Sequence, residues 1–476
     1  MVKGAPALSF KKQLRILSLS ILAISLFSCQ SDDSSKTEKQ KQAKPFSSTY
    51  QPALSKTFVI EHATVLTGTG VEYKDASVLV ENNLIKAVGN NFFIPADIEK
   101  IDGTGKWVTP GIIDVHSHMG VYASPGIEST QDGNEMTAPV TAEVWAEHSV
   151  WTQDPAMPLA LAGGVTTFQV LPGSGNLIGG RGVTLKNVYA KNVQAMKFPD
   201  APHSLKMACG ENPKRVYGSK GRAPSTRMGN VAGYRTAWIK AEEYRAKWDK
   251  YTESLGSKKE LDRPGRDLQL DTLAEVLRGN ILVHNHCYRA EEMMVMIDIA
   301  KEFGYKISAF HHAIEAYKIA DILAKENICA AMWADWWGFK HEAYDHVREN
   351  AAMVENAKAC AIIHSDSAIG IQHLNQEVAK AMAAGNKNGL SIEPKDAISW
   401  ITSNAAKAIG IGDKTGSLKE NMMADIVIWS HNPLSVYAKA EKVYIDGVLT
   451  YDRYNREKQP VTDFDLGILD PEGVRL

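Results

Sequence analysis

Cysteine is scarce. Five are scattered through 476 residues, at Cys29, Cys209, Cys287, Cys329 and Cys360, with no Cys-x-x-Cys pair. That spacing excludes a cysteine-built zinc module and a dithiol redox motif, and no disulfide framework is expected from it. An excess of one charge is also missing: 53 basic against 55 acidic residues leave a net charge of -2. A polyanion-binding surface and a nucleic-acid partner are therefore not expected. The N-terminal apolar stretch, Ile16 to Phe27, is too short to persist as a bilayer-spanning helix. The glycines at Gly173, Gly175, Gly179 and Gly180 are not followed by Gly-Lys-Ser or Gly-Lys-Thr, which excludes a phosphate loop. No repeat is visible beyond an alternation of strands and helices, which excludes a solenoid.

The chain opens with Lys3, Lys11, Lys12 and Arg15 ahead of that apolar stretch, and Leu26-Phe27-Ser28-Cys29 follows it. This resembles a bacterial lipobox, in which the cysteine becomes the lipidated N-terminus. Residues 1–28 read as a lipoprotein signal peptide with Cys29 as the lipidation site. Gln30 to Tyr50 is rich in Ser, Lys, Gln and Asp, so residues 29–55 are expected to be a disordered tether. The expectation is export and a lipid anchor on a bacterial membrane, at the outer membrane or its periplasmic face.

Alternating apolar and polar residues mark half-exposed strands at Phe58–Leu66 and Ser77–Val88, and again at Ala424–Trp429 and Lys442–Leu449. Both chain ends are thus expected to build one small β-sandwich from residues 56–107 and 411–456, with 457–476 as a tail. Between them, residues 108–410 alternate short apolar strands with helical stretches. Strands are expected near Gly111–His116, Val165–Val170, Val183–Val188, Ser204–Ala208, Ile281–His284, Lys306–His311, Ile328–Met332 and Ala361–His364. Eight is the number that closes a parallel TIM (β/α)8 barrel, so the fold class is α/β. Ala290–Phe303, Ala316–Glu326 and Ala351–Ala359 are the clearest helices, and the longest excursion, Asn212 to Gly279, follows strand four.

Chemistry concentrates where barrel enzymes keep it, at the C-terminal strand ends. Thr109-Pro110-Gly111-Ile112-Ile113-Asp114-Val115-His116-Ser117-His118 is a buried strand ending in two histidines two residues apart, hence on one face. Such a pair converges on one point, as a metal ion requires. Strand five ends in His284-Asn285-His286, strand six in His311-His312, strand eight in His364-Ser365-Asp366, and strand four carries Lys206 between apolar neighbours. Buried charge is costly unless paired or metal-bound, and five strand ends carrying titratable groups are hard to explain by packing alone.

These motifs resemble the amidohydrolase superfamily, over nearly everything from Phe58 to Asp452. They comprise "TPGIIDVHSHMG", "ALAGGVTTFQVLPGSGNLIGGRG", "IIHSDS" and "TGSLKENMMADIVIWSHNPL". The resemblance is strongest to the imidazolonepropionase-like branch, which also holds prolidase-type dipeptidases. It implies two divalent metal ions, zinc by preference. His116, His118 and Asp366 would bind the more buried one; His284 and His312 would bind the other, with His286 and His311 as alternates. Lys206 would bridge them as a carboxylated lysine, with Glu211 as the runner-up bridge. It further implies hydrolysis of a C–N bond in a dipeptide, lactam or N-acyl amino acid, by a metal-bridged hydroxide with Asp366 as general base. Alternatives are a mononuclear deaminase of the same superfamily and a non-catalytic solute-binding surface lipoprotein.

Specificity is thinly written. The loop after strand four offers Arg215, Tyr217, Arg222 and Arg227 as a clamp for a substrate carboxylate. Trp333, Trp336 and Trp337 follow strand seven and could wall a pocket. Asn176 and Arg181 are further candidates, and a homo-oligomer is left open.

Overall fold

The computed structural model describes residues 46–459; of its first five strands, three overlap the two alternating stretches of the sequence and two were not expected. The five are β1 (Phe58–Leu66), β2 (Glu72–Glu81), β3 (Leu84–Gly89), β4 (Glu99–Asp102) and β5 (Trp107–Pro110). Then come eight short strands with almost wholly buried side chains: β6 (Ile112–Ser117), β7 (Val165–Val170), β8 (Ile178–Lys186), β9 (His203–Ala208), β10 (Ile281–Cys287), β11 (Ile307–His312), β12 (Cys329–Met332) and β13 (Cys360–Ile363). The last three are β14 (Ile426–Trp429), β15 (Ala440–Ile445) and β16 (Val448–Asp452).

Strands β6 to β13 neighbour one another in sequence order, and the Asp366 amide just past β13 donates to the His116 carbonyl of β6 at 3.0 Å. The sheet is thus a nearly closed, TIM-like barrel. Burial on both faces is why these strands read as continuous apolar runs rather than alternations. The barrel departs from the expected all-parallel form at its third strand, because β8 pairs antiparallel with both β7 and β9. The loop from Val170 to Ile178 is too short for the crossover that a parallel neighbour demands. A hairpin return is what remains.

Helices α1 (Ala156–Ala162), α2 (Glu211–Gly218), α3 (Arg227–Ser254), α4 (Leu268–Leu277), α5 (Ala290–Phe303), α6 (Ala320–Glu326), α7 (Asn350–Asn356) and α8 (Leu374–Lys387) pack outside the strands. Helix α5 shows why its bounds were readable. Glu291 and Glu292 sit in its first turn, Lys301 in its last, and Gly304 closes it in the left-handed conformation at φ 74°. No helix among the described residues is long and apolar enough to cross a membrane.

The strands of both chain ends join one hydrogen-bonded sheet, ordered β16-β15-β14-β5-β1-β2-β3, with β4 on the β5 edge of β1. One continuous sheet therefore stands where two sandwiched sheets were expected. It encloses its own apolar cluster, which includes Phe58, Val78, Ile85, Val108 and Ile426. The tether expectation fails over its last residues. Phe46 packs edge-on to Trp145 at 5.8 Å, the Thr49 amide donates to the Gln194 carbonyl at 2.9 Å, and the Tyr50 hydroxyl donates to Asp446 at 2.5 Å. Aromatic residues inside a polar stretch gave this segment something to bury. The signal peptide, Cys29 and residues 460–476 lie outside the described residues.

The expectation about cysteine is overturned. Cys209 pairs with Cys287 and Cys329 with Cys360. Each bridge crosses adjacent parallel strands, at separations of 78 and 31 residues, so no local spacing could announce it. Closing loops of that length contributes about 3–5 kcal/mol each in the chain-entropy account.

Candidate metal centre

The histidines of β6, β10 and β11 and the residues just past β13 converge at one end of the barrel. His116 is fully buried. Its Nδ1 lies 2.9 Å from His311 Nδ1, and its Nε2 lies 3.4 Å from Lys206 Nζ and 3.6 Å from Asp366 Oδ1. His118 Nδ1 donates to the Leu171 carbonyl at 2.8 Å, which turns Nε2 towards Asp366 Oδ1 at 3.1 Å. His312 Nδ1 is 3.9 Å from Asp366 Oδ2, and the His312 amide donates to His364 Nε2 at 3.2 Å. Donor atoms of His116, His118 and Asp366 lie within 4.8 Å of one another, and so do those of His116, His312 and His364. His312 and Asp366 hold positive φ values of 69° and 49°. Such backbone is uncommon outside glycine and is often found where a site demands it.

Beneath this surface Asp114 joins the first strand to the end of the eighth. Its carboxylate accepts from the His116 amide at 3.1 Å, the Ser365 amide at 3.2 Å and the Ser365 hydroxyl. Burial pushes its pKa up to about 7 although all three bonds favour the anion.

The electrostatics suit cation binding. Burial, with the neighbouring Lys206, holds His116 well below the ordinary histidine range and His284 at about 3. Burial likewise brings His364 to about 3 and lowers His286, His311 and His312. These imidazoles are neutral at pH 7, the form that ligates a metal. Several of their nitrogens have no hydrogen-bond partner among the described residues: His312 Nδ1, His364 Nδ1 and both of His286. Buried polar atoms left unpaired are costly, so a ligand for them is the physical expectation. Lys206 is fully buried with no carboxylate in ion-pair reach among the described residues. Its Nζ donates to the Pro172 carbonyl at 3.0 Å, and burial lowers its pKa to about 8, opposed by Asp366. Burial also works against the Asp366 anion, yet the His118 hydrogen bond and the charges of His118, His364 and Lys206 outweigh it and leave its pKa below the ordinary carboxylate value.

The neutral imidazoles predict acid lability of the metal-free protein. A histidine whose folded pKa is depressed binds its proton only on unfolding, so stability is whole above the unfolded value of 6.5 and falls as pH drops below it. His284 and His364 should each cost about 1.4 kcal/mol per pH unit until roughly pH 3. Thermal unfolding of chelator-treated protein from pH 7 to pH 5 checks this, and a constant Tm over that interval would contradict neutral burial.

The cleft above the centre encloses about 640 Å³ and is lined by His118, His286, His312 and Asp366, together with Tyr122, Asn134, Glu211, Arg215, Tyr288, Phe339 and Lys340. Of the strand-five pair, His286 therefore reaches the cleft. His284 sits against Lys206 across the sheet, with its Nδ1 occupied by His311 Nε2 at 2.8 Å. Glu211 stands at the rim, 3.5 Å from Lys340. Of the specificity candidates, Arg215 alone is among the lining residues. Tyr217 is buried with its hydroxyl donating to the Ala138 carbonyl at 2.6 Å, because α2 turns it inward. Arg227 pairs with Glu291 at 3.1 Å on the outer helices. Trp337 projects outward and donates to the Tyr344 carbonyl at 2.6 Å. Arg222 donates to the Thr137 carbonyl at 2.8 Å. Asn176 is buried and ties the loop carrying Asn134 by four hydrogen bonds, whereas Arg181 stacks on Trp145. Trp333 does reach the centre, stacked on His312 with ring centroids 4.3 Å apart. Sequence reasoning assigned no role to His364, although it stands two residues before Asp366 as His116 stands two before His118. It also passed over Lys340 and Tyr288, whose loops carry no metal motif.

This arrangement has known counterparts. The amidohydrolase family matches residues 107–450. An amidohydrolase of Hapsidospora irregularis is 32% identical over 407 residues, 81% of this chain but 41% of that protein's length. The chain thus spans less than half of that relative. An imidazolonepropionase of Mesorhizobium japonicum is 23% identical over 79% of this chain and 90% of its own. The crystal structure of an amidohydrolase from Thermotoga maritima superposes with a TM-score of 0.76 at 35% identity, over 83% of this chain and all of that one. A barrel with histidines and an aspartate gathered at one end, matched by family and by structure over most of its length, places the protein: it belongs to the amidohydrolase family.

Proposed function

We propose that the protein hydrolyses an amide, peptide or cyclic amide at a binuclear divalent-metal centre, zinc by preference. The observation that carries this reading is the pair of donor groups sharing His116 beside a buried lysine that has no anionic partner among the described residues. His116, His118 and Asp366 would hold one ion. His312 would hold the other with a strand-five histidine, and the cleft position of His286 supports it over His284. When bound, the ions would polarise the substrate carbonyl and acidify the attacking water.

The chain's own groups do the rest. Asp366, kept anionic, takes the proton from that water and returns it to the leaving nitrogen. His118, fixed through Leu171, orients the aspartate. Lys206, with its pKa lowered to about 8, has a share of neutral amine near pH 7 and can add carbon dioxide. The addition would form an N–C bond and release the amine proton, and the carbamate would place an anionic ligand on Lys206. Glu211 is a weaker bridge, since Lys340 already engages it. The imidazolonepropionase relative favours a cyclic amide among the substrates, alongside dipeptides and N-acyl amino acids.

The test is metal content with and without bicarbonate. Wild type should hold two equivalents per chain, and Lys206→Met should fall towards one with kcat reduced by about 10²-fold or more. One tight equivalent in wild type, unchanged by bicarbonate, would instead favour the mononuclear deaminase reading. Export with a lipid anchor at Cys29 is part of the proposal. The two disulfides support an oxidising compartment, where such bridges persist.

A further inference from the structure

The cleft mouth pairs an unpartnered cation with an outward run of aromatic rings. Arg215 lies one helical turn after Glu211 on α2, the spacing of a helix ion pair. Glu211 is turned instead to Lys340, 3.5 Å away, and Lys340 is shared with Glu342 at 3.6 Å and with Asn212 Oδ1 at 3.2 Å. Those charges satisfy one another. The Arg215 guanidinium makes no hydrogen bond and no ion pair among the described residues, yet it lines the same cleft as Asp366 and His118. A planar guanidinium matches a carboxylate in a two-bond fork.

From His312 the aromatic run leads outward. Trp333 stacks on His312, Trp336 stacks on Trp333 at 4.8 Å and 13°, and Phe339 meets Trp333 edge-on at 5.6 Å. Trp333 is 4% exposed, whereas Trp336 and Phe339 are 39% and 55% exposed. Two large rings left open beside a catalytic cleft, built on a packed base, form a surface for another flat apolar group.

We infer that the substrate is an amide bearing both a free carboxylate, held by Arg215, and an aromatic group, laid against Trp336 and Phe339. N-aroyl amino acids and dipeptides with an aromatic side chain belong to this class. The inference rests on the hydrolase reading of the cleft. It assigns specificity to two loops, after β9 and after β12, that the metal ligands do not determine.

The probes are N-benzoylglycine, N-benzoylglycinamide and N-acetylglycine, with binding to the metal-loaded full chain followed by calorimetry and hydrolysis by release of the amine. Wild type should bind N-benzoylglycine about tenfold or more tightly than its carboxamide. Arg215→Gln should bring the two level, and Arg215→Lys should restore part of the gap. Trp336→Ala and Phe339→Ala should each weaken N-benzoylglycine about tenfold or more and leave N-acetylglycine unchanged. Equal binding of acid and amide by wild type, or no binding of either, overturns the inference, as does a gap that survives in Arg215→Gln. Hydrolysis without discrimination sinks this inference alone. Discrimination without hydrolysis sinks the hydrolase reading and leaves the subsite standing.

Discussion

Replacing Asp366 with asparagine should lower kcat for amide hydrolysis by about 10²–10⁴-fold while the protein stays folded. The substitution keeps the shape of the side chain and removes only its charge and basicity. Asparagine tolerates the left-handed backbone at φ 49°, so the turn after β13 should survive. The amide of residue 366 can still donate to the His116 carbonyl, and Ser365 still bonds Asp114. What disappears is the anion that His118 Nε2 faces at 3.1 Å and that stands next to His116 at 3.6 Å. A proton acceptor is missed mostly in the transition state, so kcat should fall far more than KM rises. Steady-state kinetics on a panel of dipeptides and cyclic amides, read beside Tm, separates this from a folding defect. Full turnover across that panel in Asp366→Asn would remove the aspartate from the mechanism.

That the candidate ligands gather at one end of the barrel was legible because they follow a short-range pattern. His116 and His118 share a face by strand periodicity, and the other histidine candidates and Asp366 stand at the ends of buried apolar runs. All eight barrel strands overlap their expected positions, and α5 matches its expected span residue for residue. What escaped depends on contacts that sequence distance hides. The antiparallel β8 follows from a loop length that the composition of its strand does not reveal. The Cys209–Cys287 bridge links a residue just past β9 to the end of β10, across the whole α2–α4 excursion. Tyr217 and Arg227 share the α2–α3 segment with Arg215, and charge alone does not say which of them a helix turns to the cleft. Trp333 and Trp337, four residues apart, also part ways: the first is buried against His312 and the second is exposed. The bridge after β9 also bears on function. It ties the tip carrying His286 to the start of the helix that presents Glu211 and Arg215, so the strand of the candidate ligand His286 and the rim above it are covalently fixed to each other.

The largest stability effect should come from a group far from the chemistry. Lys186 ends β8 at the barrel end opposite the cleft, wholly buried. Its Nζ is 3.0 Å from Asp425 and 3.0 Å from Asp446, on residues 239 and 260 positions later. Asp425 also accepts from the Thr415 hydroxyl at 2.7 Å and from the Asp446 amide at 3.0 Å, and Asp446 accepts from Tyr50. One ammonium thus holds two carboxylates, and through them joins the barrel, the sheet and the segment at Tyr50. Lys186→Met should destabilise the protein by about 3–5 kcal/mol, because it strands two buried like charges rather than because the ion pair itself is strong. Burial and Asp425 already raise the Asp446 pKa, and losing Lys186 should raise it further. A carboxyl with a raised folded pKa is favoured by protonation, so the deficit should shrink as pH falls from 7 towards 5. Adding Asp446→Asn to Lys186→Met should recover part of the loss at pH 7, and the two changes should be non-additive since they share one network. Urea unfolding of the three variants at both pH values measures this. A loss in Lys186→Met that neither lower pH nor Asp446→Asn relieves would mean that the lysine contributes packing rather than charge compensation.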